Sequence, residues 1–514
     1  MFISLLSKEI RNHLLTFRFA AAFVTTIALV LVSFWVLGDD YLRRRDAYNL
    51  AAEETARQDH EIYVPSQISP TLHRPPSKLS IFTQGEDRRF GNSVQVRRWE
   101  VPLRAEGSFT DNMLMAALPS LDLYTIFAIV VSLFGILFGY DSISGERERG
   151  TLKLQCTGSV SRGTIFLTKY LGGLVCLAIP LVLSMMAGLM LLSFFFSISF
   201  TFEQWIAIAC IALSGLIFIA LFLALGLTCS ALVRNSSVAL VLVLFIWILG
   251  VLVIPSAAQS AADFLVPLPS SSELTNAVKA TEREVVARLE GFGKEHPAYG
   301  WGVWSSNWSV PGTGGYLKYD GTVKNYRDAI EFVRFVEPLM SSRAGRIWDI
   351  YNSQHKNRQQ QAMIAGALSL VSPSFHLREL ITSLANTGYP VYGNFMDSVR
   401  RYRRQMINDF ERRGYFSDNA LGFFCRRPAS DIDESEFPKR YEYYKQQVAL
   451  GRRTDEFVGP HLWGPLPEDH FLPFSHSLDK PDFAASLQPG LFLVISIAIV
   501  FSIGFVAFLR YDVR

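Results

Sequence analysis

The chain has 514 residues, of which half are hydrophobic and 18% charged, with a formal net charge of +3. A purely soluble protein of this length is ordinarily more polar, and a mean hydropathy of +0.22 points away from that class. The near balance of basic and acidic residues leaves no electrostatic footprint for nucleic acid.

The first residues predict a helix lying in a membrane interface. On a helical wheel Phe2, Ile3, Leu6, Ile10, Leu14 and Phe17 share one face, while Lys8, Arg11 and Asn12 fall on or beside the other. The apolar run from Phe19 to Leu37 is long for a signal peptide and ends in "GDD" without a small-x-small cleavage site, so it reads as a first span. Residues 1–37 are therefore an elbow helix and a span. Five more apolar runs follow at about 121–139, 170–196, 204–232, 238–257 and 490–509, each near the roughly 20 helical residues that cross a hydrocarbon core. Pro180 inside the third span predicts a kink, tolerated if neighbouring helices satisfy the freed carbonyl. The run "AMIAGALSLV", 362–371, is too short to cross and reads as a buried helix. The fold class is an α-helical polytopic membrane protein with six transmembrane helices.

Short loops set the orientation, because long ones translocate largely regardless of charge. Arg147, Arg149, Lys153, Arg162 and Lys169 follow span two, Arg234 follows span four, and Arg510 and Arg514 end the chain. With six spans all of these fall on one side, which is read as cytoplasmic together with both termini. The triplet Arg43–Arg45 lies on the other side, at the start of a long segment that the rule does not govern. Residues 121–257 then hold spans two to five with a cytoplasmic loop at 141–169, and 490–514 hold span six and the C-terminus. Two segments face outward, 38–120 and 258–489, the second large enough for its own core. It reads as mostly helical, with periodic apolar and charged residues near 276–292, 324–369, 374–386, 392–414 and 436–450. Between the first two of these, the glycines and proline of "GWGVWSSNWSVPGTGGY" indicate a loop carrying Trp301, Trp304 and Trp308. The stretches "EIYVPSQISP" and "SVQVRRWEVPL" of the first segment predict short strands.

Catalytic signatures are missing. No "GxxxxGK[ST]" phosphate loop occurs, and the fragment "EGFGKEH" lacks its first glycine and follows a helix. "HExxH" and "GxSxG" are absent as well. His461, His470 and His476 share a proline-rich stretch without metal-ligand spacing. Cys176, Cys210 and Cys229 fall in spans and Cys156 in the loop, so Cys425 has no disulfide partner in the outward segments. The spans hold almost no ionisable residue, which argues against a proton- or sodium-driven carrier, and Asp122 sits at the outer end of span two. Energy for any transport has to come from another chain.

The stretch "YDSISGERERGTLKLQC", from Tyr140 to Cys156, stands out between two apolar spans. It continues as "TGSVSRGTIFLTKYLGG" directly into span three. Here the sequence resembles the permease subunits of ABC-2 type exporters, whose first cytoplasmic loop reads as an "E-R-E-x-G-T-L" stretch, then "P-x-S-R", then a lysine at the base of the next helix. Six spans, the elbow and the "SALVRNSS" turn add to the match, which covers the membrane portion, somewhat under half of the chain. Ser159 stands where the family pattern has proline. The long outward insertion between spans five and six is similar to a subgroup that includes permeases of copper-enzyme maturation and gliding motility.

This resemblance implies ATP-driven export, a separate cytoplasmic ABC ATPase that holds ATP and Mg, a second six-span permease subunit, identical or related, and a bacterial inner membrane. No cofactor is expected in this chain. The site it implies is an ATPase-coupling loop made of Gly145, Glu146, Arg147, Glu148, Arg149, Gly150, Thr151, Leu152, Leu154, Ser161, Arg162 and Lys169. In that role Leu152 and Leu154 would pack in a groove of the ATPase, Arg147 and Arg149 would meet its acidic residues, and Gly145 and Gly150 would permit tight turns. Glu146 and Glu148 would sit favourably near a helix start. The size of the outward domain keeps open a mechanotransmission role, in which the ATPase drives a periplasmic partner or metalloenzyme maturation and nothing crosses the membrane.

Overall fold

Two helices joined by a bend open the chain, α1 (Phe2–Leu14) and α2 (Phe17–Asp59). Thr16 makes the bend: its hydroxyl donates to the His13 carbonyl and accepts from the Phe19 amide, ending one helix and starting the next. The computed structural model describes residues 2–59, 68–87, 90–107, 121–156, 160–296, 299–301, 308–309, 315–317, 323–415, 446, 472–474 and 480–510. Helix α2 contains the first apolar run and continues far beyond Leu37. Its 43 residues span about 64 Å at 1.5 Å per residue, twice a hydrocarbon core of about 30 Å. Hydropathy sees only the apolar half, because the extension is held by good helix formers and by the i,i+4 pairs Asp39–Arg43 and Asp40–Arg44.

Among the described residues, six helices are long and apolar enough to cross a membrane. After α2 comes α3 (123–139), made of a turn Leu123–Thr125, a π-turn Ile126–Val131 and the helix Ser132–Gly139. Short helices α4 (Ser144–Glu148) and α5 (Thr151–Cys156) follow, then α6 (Arg162–Phe196) and α7 (Phe202–Leu232). Helix α8 (236–265) carries a second π-turn, Leu249–Val253, between Ser236–Ile248 and Ile254–Leu265. Pro180 lies inside α6, which runs on through it. Close packing depends on glycine where α3 crosses α7, since a Cβ on Gly226 would lie 3.0 Å from the Gly139 Cα. The two π-turned helices are tied by the Trp247 indole N–H, which donates to Ser132 Oγ at 2.9 Å.

Beyond α8 the chain forms α9 (Ser271–Glu295), three short strands, α10 (Val323–Ser369), α11 (Pro373–Ala385) and α12 (Tyr389–Arg412), and α13 (Phe483–Leu509) closes the bundle. The run 362–371 neither crosses nor is buried. It ends α10 and turns back into α11, with Met363, Leu368, Leu370 and Val371 exposed, the last at 73%. The turn reaches inside the bundle: Ser372 and Ser374 donate to the Gly250 and Val251 carbonyls of the α8 π-turn, about 21 Å along α8 from Ser236. Helix α11 then climbs along α13, where His376 stacks on Phe492, Leu380 meets Gly490, and the Asp482 amide donates to the Ser383 carbonyl. A ten-residue apolar run thus becomes the end of α10 in a hairpin with α11 whose turn is bonded to α8, an arrangement that length alone does not reveal.

At the end of the bundle away from the 140–161 loop, the remaining segments share a second apolar core. It joins β1 (Thr71–His73) and β2 (Ser93–Gln95), an antiparallel pair, to α9, α10 and α12 through Leu72, Val94, Val285, Phe332, Phe395 and Met406. Where the sequence suggests a loop at 300–316, the structure has strands β3 (Tyr299–Trp301), β4 (Trp308–Ser309) and β5 (Gly315–Leu317), with β5 central. Trp301 and Trp308 therefore lie on strands, and Trp304 lies outside the described residues. Nearly all of the helix expected at 436–450, as well as Cys425 and the three histidines 461, 470 and 476, also falls outside them.

Candidate functional site

The loop that joins α3 to α6 is built against the ends of three long helices. Ser230, near the end of α7, accepts from the amides of Ile143 and Ser144 with its hydroxyl, at 3.1 and 3.0 Å, and so fixes the start of α4. Gly145 lies within α4 and makes no turn of its own. Gly150 does, at φ +74°, a left-handed conformation open to glycine, and it separates α4 from α5. Ser161 caps α6 by accepting from the Thr164 amide at 3.2 Å, and Arg162 donates to the Leu509 carbonyl at the end of α13 at 3.1 Å.

The charges of the loop are directed mainly inward. Glu146 binds the Lys169 ammonium at 2.7 Å and accepts from Gln155, and Lys169, only 2% exposed on α6, also approaches Glu9 of α1 at 3.5 Å. Arg147 donates to the Val233 carbonyl at 3.0 Å. Glu148 accepts from the Ser236 amide and hydroxyl at 2.7 and 3.0 Å, placing a carboxylate on the positive end of α8. Arg149 returns to the Gly145 carbonyl, and Thr151 donates to the Glu146 carbonyl. Leu152 is 1% exposed and packs in the chain's own core, so it is not free to enter a partner's groove. Leu154 lies on α5. Among the described residues of the loop, Glu148, Arg149, Gly150 and Thr151 form an exposed edge, and Ser161 is exposed as well.

Sequence reasoning missed the residues that anchor this loop. Glu9 falls at the rim of the apolar face of α1, and a lone carboxylate there, with a lysine early in the third apolar run, was the available signal. Arg18 of α2 pairs with Asp141 at 2.8 Å, donates to the Leu137 carbonyl and to the Tyr140 hydroxyl, and lies over the Tyr140 ring. His13 stacks on Phe138. The backbone of α1 presses against Gly172, where a Cβ would come within 2.9 Å of the Glu9 Cβ. Elbow, loop and α6 therefore form one unit around a single buried ammonium.

Among the described residues, no group of three or more metal-ligating side chains comes together. No curated protein matches this chain. A family model described as ABC-2 family transporter protein matches residues 4–513.

Proposed function

Because the chain belongs to the ABC-2 family of transporter proteins, we propose that it is the permease of an ATP-driven exporter, gripped by a separate cytoplasmic ATPase at the loop 141–169. ATP and Mg are bound by that ATPase, and a second six-span permease, identical or related, completes the pathway. The loop end and both termini then face the cytoplasm of a bacterium, and the α9–α12 region lies outside the inner membrane. The long insertion before α13 fits the subgroup similar to permeases of copper-enzyme maturation and gliding motility.

One observation carries the reading: Lys169, buried between Glu146 and Glu9, joins the loop to α6 and α1, so force applied at the loop is delivered to membrane helices. The solvent-facing edge with Arg149 is left for the ATPase. Among the described residues, reversing Arg149 to glutamate removes its hydrogen bond to Gly145 and its attraction to Glu148, and it sets like charge against an acidic partner surface. The tagged Arg149→Glu chain should retain at most about a tenth of the ATP turnover that co-purifies with wild type, while Arg401→Glu on the exposed side of α12 retains it. Equal retention by both variants contradicts the assignment of this edge.

A second reading draws on the length of α2, 43 residues, and of α8, 30 residues with its π-turn. Rods of that kind suit mechanotransmission to a periplasmic partner. Stimulation of ATP turnover by an amphiphile or peptide favours export, and stimulation by an outer partner alone favours mechanotransmission.

A further inference from the structure

The triplet Arg43–Arg45, an exception in the charge count, divides by burial. Arg43 and Arg45 are exposed and pair on their own helix with Asp39 and Asp46. The Arg44 side chain is 9% exposed and uses its whole fork: Nε donates to Asp40 at 2.9 Å, Nη1 to Asp87 at 3.0 Å, and Nη2 to Ser80 Oγ at 2.8 Å. Asp87 also binds Arg74 at 2.6 Å. Two guanidiniums and two carboxylates thus form a neutral buried network that joins α2 to one short segment, 74–87.

That segment touches most of what meets at this end of the molecule. Ser80 donates to the Ser77 carbonyl, and Ser77 donates to the Ala385 carbonyl at the end of α11. The Glu86 amide reaches the Thr387 carbonyl. The Phe82 carbonyl accepts from the Leu123 amide, and Thr83 donates to Asp122, the residue that caps α3. Lys78 reaches the Ser199 carbonyl between α6 and α7. On the other side, the segment follows directly on β1, and the chain after β2 is fastened to the helical module: Arg98 and Trp99 bind Glu337 of α10, and the Ala105 amide donates to Tyr392 of α12.

Buried ion networks are weak evidence for net stability and are better attested where one arrangement must be held against others. Three donors at fixed angles from one planar group hold α2 and 74–87 in a single relative orientation, which a lysine does not reproduce. Resting on the reading of this chain as a subunit driven at the loop 141–169, we propose that segment 74–87 is the joint that carries displacement of α2 and α3 into the outer module, with Arg44 as its pivot. Arg44 is a positioning residue that acts through Asp87 and Ser80.

The test uses the full chain with its ATPase in lipid nanodiscs, spin-labelled in a cysteine-free background at Glu203→Cys, at the start of α7, and Arg401→Cys, on α12. The distance between labels is read by pulsed electron resonance without nucleotide and with ATP held unhydrolysed. Wild type should shift by at least about 2 Å, the scale of helix movements in known switches. Arg44→Lys should lose at least half of that shift while ATPase capture and basal turnover stay within about twofold, and Ser80→Ala should lose a smaller part. An undiminished shift in Arg44→Lys overturns the joint, and if that variant fails to assemble, an undiminished shift in Ser80→Ala does so. ATPase capture by wild type with no nucleotide-dependent shift overturns the joint and leaves the functional reading standing, whereas no capture at all removes both.

Discussion

The two ends of the helical bundle bury charge in opposite ways. At the loop end a single ammonium, Lys169, serves two carboxylates that come from different elements, Glu9 of α1 and Glu146 of α4. At the other end Arg44 and Arg74 share Asp40 and Asp87, and the charges cancel. Among the described residues, Lys169 is the one cation paired with Glu9 and Glu146, while the far end is redundant. One shared contact ties three elements at the loop end, whereas several contacts tie two at the far end.

The comparison is tested most severely at Lys169. Lys169→Met leaves Glu9 and Glu146 without their cation in a buried place, and should lower stability by about 3–5 kcal/mol, the usual cost of breaking a buried pair from one side. Thermal unfolding in nanodiscs reads this, and adding Glu146→Gln should recover a substantial part. A loss below about 1 kcal/mol shows that water already reaches both carboxylates and that the ammonium is no hub.

Asp87→Asn is the matching change at the far end. Arg44 keeps Asp40 and Ser80, while Arg74 loses its carboxylate, so a smaller loss of about 2 kcal/mol is expected in the same assay. If Asp87→Asn costs more than Lys169→Met, the redundancy argued for this end is wrong.

How far the sequence foretold these two ends differs as well. The loop was legible, since Glu146 to Arg149 stand in a row between apolar runs, but the destination of the charges was not. Glu9 and Lys169 lie 160 positions apart, and nothing in local pattern states that α1 folds back on α6. Spans were found by apolarity and their ends were missed for the same reason: Asp39 to Asp59 are helical through ion pairs and propensity, not hydrophobicity. The hairpin of α10 and α11 escaped because a run too short to cross a membrane can still pack against a spanning helix when that neighbour accepts its polar end, as the α8 π-turn does for Ser372 and Ser374. Strands β3 to β5 were hidden by glycine and proline around aromatic residues, a pattern shared with loops.

A neutral fastening inside the bundle calibrates both ionic ones. Ser372→Ala removes the hydroxyl donor to the Gly250 carbonyl, and the helix cap it gives the Phe375 amide, at the base of the hairpin. About 1–2 kcal/mol is expected, the value of a buried hydrogen bond together with a cap. A loss clearly larger than that of Asp87→Asn would show that the far-end network contributes no more than ordinary polar contacts.

The smallest effect concerns His13, which lies at the elbow beside the loop-end cation and has no counterpart among the four charges of the far network. Burial against Phe138 pushes its pKa down from the ordinary value, Glu9 and Asp141 oppose that, and Lys169 and Arg18 add to it. A lowered pKa means that the folded protein resists a proton which the unfolded chain accepts near pH 6.5. Stability from this group is therefore fully present above about pH 6.5 and is lost as pH falls below it toward the lower folded value. Melting wild type and His13→Gln side by side from pH 7.5 to 5.5 isolates the term, because all other titrations are common to both. Wild type should lose stability relative to His13→Gln on acidification. The opposite trend would mean that His13 takes up a proton in the folded state and adds a second cation beside Glu9, which would make the loop end, too, a shared network instead of a single hub.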